Sequence, residues 1–185
     1  MARNAKRRHE VQLANKTVLE RRRKPVSDQS GAGEAFVTTV APYEQIFRPL
    51  SDDALQRIRD DAKLIVPFMQ FHGIRVVGSW NLEALDVAFA AWVARGKKTP
   101  YSDDQTIEIT GAAFGEYCAA HLDMEWVFVN DQDGQAVGLR GRAIEIQAFP
   151  FASVSKRIPD REHGFFQPIF LLIQGQAKSA RSREY

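Results

Sequence analysis

The sequence predicts an α+β fold: helices first, then a three-stranded antiparallel meander and a closing C-terminal helix. Between residues 51 and 121, apolar side chains recur every three or four positions, the spacing of a helix buried along one face. From Met124 the period falls to two, the spacing of a half-buried strand. A last apolar piece follows Pro159, and no internal repeat interrupts the progression.

Residues 1–24 carry a weak helical pattern through Val11, Ala14 and Val18, and read as a lone helix or a disordered arm. Residues 25–34 are rich in Pro, Gly and Ser and read as a linker. Ser51 is placed to cap a helix, with Asp52 and Asp53 in its first turn and Leu50 positioned against Leu55. Leu55, Ile58, Ala62, Ile65 and Met69 supply its buried face, Pro67 predicts a kink or end, and Gly73 closes it.

Asn81 caps a second helix that buries Leu82, Leu85, Phe89, Trp92 and Val93 and ends at Arg95-Gly96. A third runs over 103–121, burying Ile107, Phe114, Cys118 and Leu122. Gly111 and Gly115 lie one turn apart on it, which predicts close approach of another element. Each weakens the helix by about 1 kcal/mol relative to Ala. Strands are expected over Met124–Val129, Gln135–Leu139 and Ala143–Phe149, with a turn at 130–134 and a bulge or bend at Gly141. Pro150 is read as the strand exit, because it has no N–H for the ladder. Pro168 predicts the first position of a short helix carrying Ile169, Leu172 and Ile173, and residues 176–185 read as a frayed basic tail. The expected organisation is a basic arm and linker over 1–34, one domain over 35–175, and the tail.

Composition bounds the rest. At 185 residues, 44% apolar, the chain is long enough for one substantial core and too short for two. The formal charge of +2 hides an asymmetry. Residues 1–24 hold nine basic and two acidic side chains, 25–175 hold 13 and 20, and 176–185 hold three and one. An acidic body therefore carries basic ends. The single cysteine, Cys118, excludes an intrachain disulfide and suits a reducing compartment. The first 30 residues show no apolar signal core. No apolar run, 169–173 included, approaches the length of a membrane span. The expectation is a soluble cytoplasmic protein.

The chemistry-bearing residues form no established constellation. His9, His72, His121 and His163 lack zinc-ligand spacing. His121, Asp123 and Glu125 offer metal-ligand atoms but also fit a helix C-terminus, where His is favoured. Cys118 and His121 share a helical face, yet Cys118 lies on the apolar stripe, the place of a core cysteine. Asp131-Gln132-Asp133-Gly134 resembles the start of a calcium loop but fails at its fifth, sixth and twelfth positions; Asp-Gly between strands is a hairpin turn. No phosphate loop, nucleophile elbow or zinc-protease motif is present. No catalytic residue, metal or cofactor is assigned.

Two basic groups remain. Arg7, Arg8, Arg21, Arg22, Arg23 and Lys24 suit phosphate contacts, so nucleic acid is a partner the arm fits. Lys156 and Arg157, with Arg140 and Arg142, form the anion- or partner-binding set. The amides of Ser153 to Ser155 are its proposed nest. Glu125, Glu145, Lys156 and Arg157 are the residues an enzyme would use if they converged.

The second half carries an ordered set of features. Gly115-Glu116-Tyr117 ends a helix, Glu125-Trp126 opens a strand, and Asp133-Gly134 makes a turn. Phe149-Pro150-Phe151 follows, then Ser153-Val154-x-Lys156-Arg157 and Phe165-Phe166. This set resembles an uncharacterised, mainly bacterial domain-of-unknown-function family over about residues 80–173. The resemblance implies a bacterial source and a small α+β domain, and brings no activity. The functional expectation is a non-enzymatic protein-binding or accessory domain. The alternatives are a nucleic-acid-associated protein and an enzyme of unrecognised class.

Overall fold

The computed structural model describes residues 24–26, 35–37, 45–131 and 134–182. The chain divides into two compact units, residues 1–44 and 45–185. In the first, β1 (Lys24–Val26) pairs antiparallel with β2 (Ala35–Val37). Pro25 and Val26, expected in a linker, are therefore strand residues, and the larger unit begins at Gln45. The arm residues Arg7, Arg8, Arg21, Arg22 and Arg23 lie outside the described residues.

The second unit is α+β. Its sheet has four strands in the order β3 (Ile46–Pro49), β4 (Met124–Asp131), β5 (Gly134–Gly141) and β6 (Gln147–Ala148), all antiparallel. The meander is thus extended by β3, four residues too short to show a periodicity. The strand expected over 143–149 contracts to β6. The Gly141 amide donates to the Ile146 carbonyl at 2.9 Å, so residues 142–146 bend out of the ladder. A Cβ at Gly141 would lie 2.7 Å from the Ile144 carbonyl oxygen, which explains a glycine at this bend.

Helix α1 (Asp52–Lys63) starts at Ser51, whose hydroxyl accepts from the Ala54 amide at 3.3 Å. The expected kink falls at Leu64, between α1 and α2 (Ile65–Phe71), three residues before Pro67. Proline at 67 lacks the N–H for the Lys63 carbonyl and crowds it, so the helix breaks one turn upstream. At the end of α2, Gly73 takes φ 85°. Its amide donates to Gln70 and that of Ile74 to Met69, a paired closure that uses the last free carbonyls.

Helix α3 (Leu82–Arg95) is capped by Asn81, which accepts from Ala84 at 2.8 Å, and ends at Gly96 with φ 53°. Helix α4 (Asp103–Leu122) carries a reciprocal cap: Ser102 accepts from the Gln105 amide, and Gln105 accepts from that of Ser102. It is the central helix, touching α1, α2, α3, β4 and β5 as well as α5 (Pro150–Ser155) and α6 (Phe166–Arg181). Thr106, Ile109, Ala112, Phe114 and Cys118 are all buried, as a helix covered on every side requires.

Pro150 begins α5 rather than merely ending a strand, because the first helical position needs no N–H. Helix α6 is longer than expected. Pro168 is its third residue, and it continues past 175 to Arg181, with Ala177 buried. Phe170 and Ile173 face the core, whereas Leu172, expected inside, is 62% exposed. The start of α6 has no local cap. Asp86 of α3 supplies it instead, accepting from the Phe166 and Gln167 amides at 3.0 and 3.1 Å. Phe89, Phe114 and Phe166 meet edge to face behind that cap, with centroids 5.3–5.6 Å apart.

Candidate functional site

The geometry selects a groove of about 790 Å³ between the end of α3, the 96–102 connection, the start of α4 and the turn after α5. Trp92, Val93 and Ile158 supply apolar surface to it, and Thr99, Pro100 and Tyr101 form one side. Asp103, Asp104 and Arg161 add charge. The local sequence dictates the placement. Gly96 ends α3 in a left-handed conformation, and Thr99 is extended. The Tyr101 amide donates to the Thr99 hydroxyl at 3.2 Å, and the Trp92 indole N–H donates to the Tyr101 carbonyl at 3.3 Å. Trp92 and Tyr101 are thereby locked to each other.

Asp103 and Asp104 occupy the first turn of α4, where the helix dipole attracts negative charge. Arg161 sits in a turn closed by its own amide on the Ile158 carbonyl at 3.1 Å, with φ 53°. A left-handed conformation costs a side-chain-bearing residue on the order of 1 kcal/mol. Among the described residues, the side chains of Asp103, Asp104 and Arg161 make no hydrogen bond or ion pair. Unpaired charges of both signs beside buried aromatic surface distinguish this groove. Of the two other concavities described, one lies between residues 145–147 and α6, with Glu145 its single charged side chain; the other is a hollow of about 190 Å³ whose single charge is Glu83.

An aromatic shell backs the groove. The Tyr101 ring packs against Phe68 and Phe71, with centroids 5.0 and 5.7 Å away, and lies 6.0 Å from His72. His72 is buried, and neither ring nitrogen has a hydrogen-bond partner. Burial, with a smaller contribution from the Arg95 charge, pushes its pKa down to about 4, so the ring is neutral at pH 7. The Arg95 guanidinium itself lies over the Phe71 ring at 5.0 Å.

The basic residues singled out by the sequence do not assemble. Arg140 covers the Phe47 ring at 4.4 Å on the sheet, and Arg142 lies 3.7 Å from Asp123. Arg157 is bound to its own turn. It donates to the Ser153 carbonyl at 2.8 Å and to Glu162 at 3.2 Å, and covers the Phe165 ring at 4.7 Å. Lys156 is exposed at the end of α5. The Ser153 amide donates to Phe149, and the Lys156 and Arg157 amides to Ala152 and Val154, all as helix bonds. The expected anion nest is not formed, because α5 consumes its donors. Lys24, from the arm, opens β1.

Glu125, Glu145, Lys156 and Arg157 also stay apart. Glu125 pairs across the sheet with Arg140, while Glu145 lines the concavity beside α6, which includes none of the other three. His121 is engaged with the Tyr117 carbonyl at 2.8 Å and stacks on the Tyr117 ring. No group of three or more metal-ligating side chains converges among the described residues. Cys118 is buried, and burial raises its thiol pKa to about 12. Gln132 and Asp133 of the supposed calcium loop lie outside the described residues.

Sequence reasoning missed the groove. Trp92 belongs to the buried core, as its helical spacing predicts, and Arg161 lies some 60 residues from the acidic pair. The local signal was Tyr101-Ser102-Asp103-Asp104, an aromatic residue and two acids around a helix cap.

A family model described as a domain of unknown function (DUF3806) matches residues 86–169. Every residue lining the groove falls within that span, and it lies inside the range expected from the sequence. No curated protein and no solved structure matches the chain.

Proposed function

We propose that this chain is a non-enzymatic protein-binding or accessory domain of the bacterial cytoplasm, and that the groove beside Trp92 and Tyr101 is where it holds its partner. The observation that supports this most is the set of unpaired charges, Asp103, Asp104 and Arg161, around an aromatic-walled depression. Charges on a folded surface are commonly left to solvent. These border apolar surface, the arrangement of a binding site in which a few polar groups fix orientation. The matched family span contains every residue that lines the groove.

The test is affinity capture with three forms of the full chain: wild type, Asp103→Lys/Asp104→Lys, and Leu172→Ser as a control on the far part of α6. A partner retained by wild type and Leu172→Ser but lost from the lysine variant supports the reading. A partner held equally by all three overturns the groove as its site.

A second reading has its own observation. Residues 1–24 concentrate nine basic side chains against two acidic ones, which suits nucleic acid bound through backbone phosphates. Retention on DNA or RNA that falls with salt and disappears on deleting residues 1–30 supports it. Equal, salt-independent lack of retention removes it.

A further inference from the structure

We infer that the groove takes an extended segment of a partner protein in which an apolar side chain stands between a basic and an acidic one. This rests on reading the groove as the binding site and names what fills it.

The groove and such a segment are chemically complementary. Asp103 and Asp104 are exposed, sit at the positive end of α4, and have no partner among the described residues. They are a ready counterpart for a lysine or arginine. Arg161 supplies a guanidinium, which pairs with a carboxylate through two parallel hydrogen bonds. Trp92, Val93 and Ile158 give the apolar side chain its surface. A phosphate-bearing ligand fits poorly, because two carboxylates share the depression with the one arginine. The groove is open to solvent along part of its lining, where Asp103, Asp104 and Arg161 are exposed. Thr99 on its side is extended, and Pro100 offers no amide of its own. A main chain can cross such a groove and drop alternate side chains into it, as extended peptides do on other surfaces.

Trp92 is also the reporter, because its indole N–H is bonded to Tyr101 at the groove wall. Trp126 is an internal control: its indole N–H is held by Glu116 at 2.8 Å, away from the groove lining. The probes are two capped tripeptides, acetyl-Glu-Leu-Arg amide and acetyl-Arg-Leu-Glu amide, covering both chain directions. Acetyl-Glu-Ser-Arg amide removes the apolar group. Each is titrated into the full chain up to about 10 mM, a range that reveals millimolar affinity, while the three indole N–H resonances are followed by NMR.

The expected result is a saturable shift of Trp92 with one of the leucine peptides, none at Trp126, and weaker binding of the serine peptide. Asp103→Asn/Asp104→Asn lowers affinity about fivefold or more, the scale of losing a partly exposed charge pair. Arg161→Glu prefers acetyl-Arg-Leu-Arg amide over the original ligand, a reversal that a merely damaged fold does not produce. No Trp92 shift with either leucine peptide, or unchanged affinity in the asparagine variant, overturns the inference. If capture still depends on Asp103 and Asp104 while the tripeptides do nothing, the ligand class falls and the groove remains the site. If capture is also indifferent to them, both fall.

Discussion

Two regions of the second unit treat close packing and buried polar atoms in opposite ways. Where α4 meets α5 and the sheet, contact is as tight as side chains allow. A Cβ on Gly111 would lie 2.7 Å from the Phe151 ring, and one on Gly115 would overlap the Trp126 ring. The one polar atom of the Trp126 side chain is satisfied by Glu116. Around Tyr101 the arrangement is looser in its chemistry. His72 is buried with both nitrogens unpartnered, Phe71 is 40% exposed, and three charges stand unpaired beside it. The contrast separates a seam built for stability from a shell that keeps unspent interactions next to a groove. Fully satisfied groups resist change, whereas orphaned ones are costly and mark places where a fold is poised.

The contrast breaks most visibly at Gly115. Replacing it with Val forces a branched side chain into the Trp126 ring, and we expect a loss of about 3 kcal/mol or more. In a domain of this size that is roughly 6–12 °C in thermal midpoint, read by circular dichroism. An unchanged midpoint would show that the seam has room.

The next effect comes from His72. Its folded pKa of about 4 lies below the ordinary 6.5, so below pH 6.5 the unfolded chain binds a proton that the folded chain refuses. Stability therefore falls as pH drops from about 6.5 towards 4, by at most about 3 kcal/mol from this residue. His72→Phe removes that dependence and both orphaned nitrogens. The difference between variant and wild type in urea midpoint should widen from pH 7 to pH 4.5; parallel curves would mean that the ring finds a partner.

Asp86 sharpens the comparison on the satisfied side. Asp86→Ala frees the first two amides of α6 and should cost about 1–2 kcal/mol by urea titration. The smallest effect is at Cys118. Burial keeps it protonated, so the native chain should not react with a thiol reagent until it unfolds. Rapid labelling of native protein would place it at an opening.

The two regions also differ in how far the sequence discloses them. The seam is half legible: Gly111 and Gly115, one turn apart, announce close approach, although not that Phe151, Pro150 and Trp126 make it. Helix ends are legible because Ser51, Gly73 and Asn81 act on backbone within a few residues. The cap of α6 is not, since Asp86 lies 80 residues away from the amides it holds. Strand β3 is too short to have a period, and Pro150 suits a strand exit and a first helical position equally well. The groove is illegible for the same reason as the α6 cap: Trp92, Asp103 and Arg161 meet only after α3, α4 and the turn beyond α5 have packed.

The division between seam and shell is tested most directly by hydrogen exchange at pH 7 and pH 5, corrected for intrinsic rates. The account predicts that amides over 65–74 and 99–102 lose protection at pH 5, while those over 109–118 and 150–155 keep theirs. Uniform loss across both regions, or retained protection around His72, would contradict it.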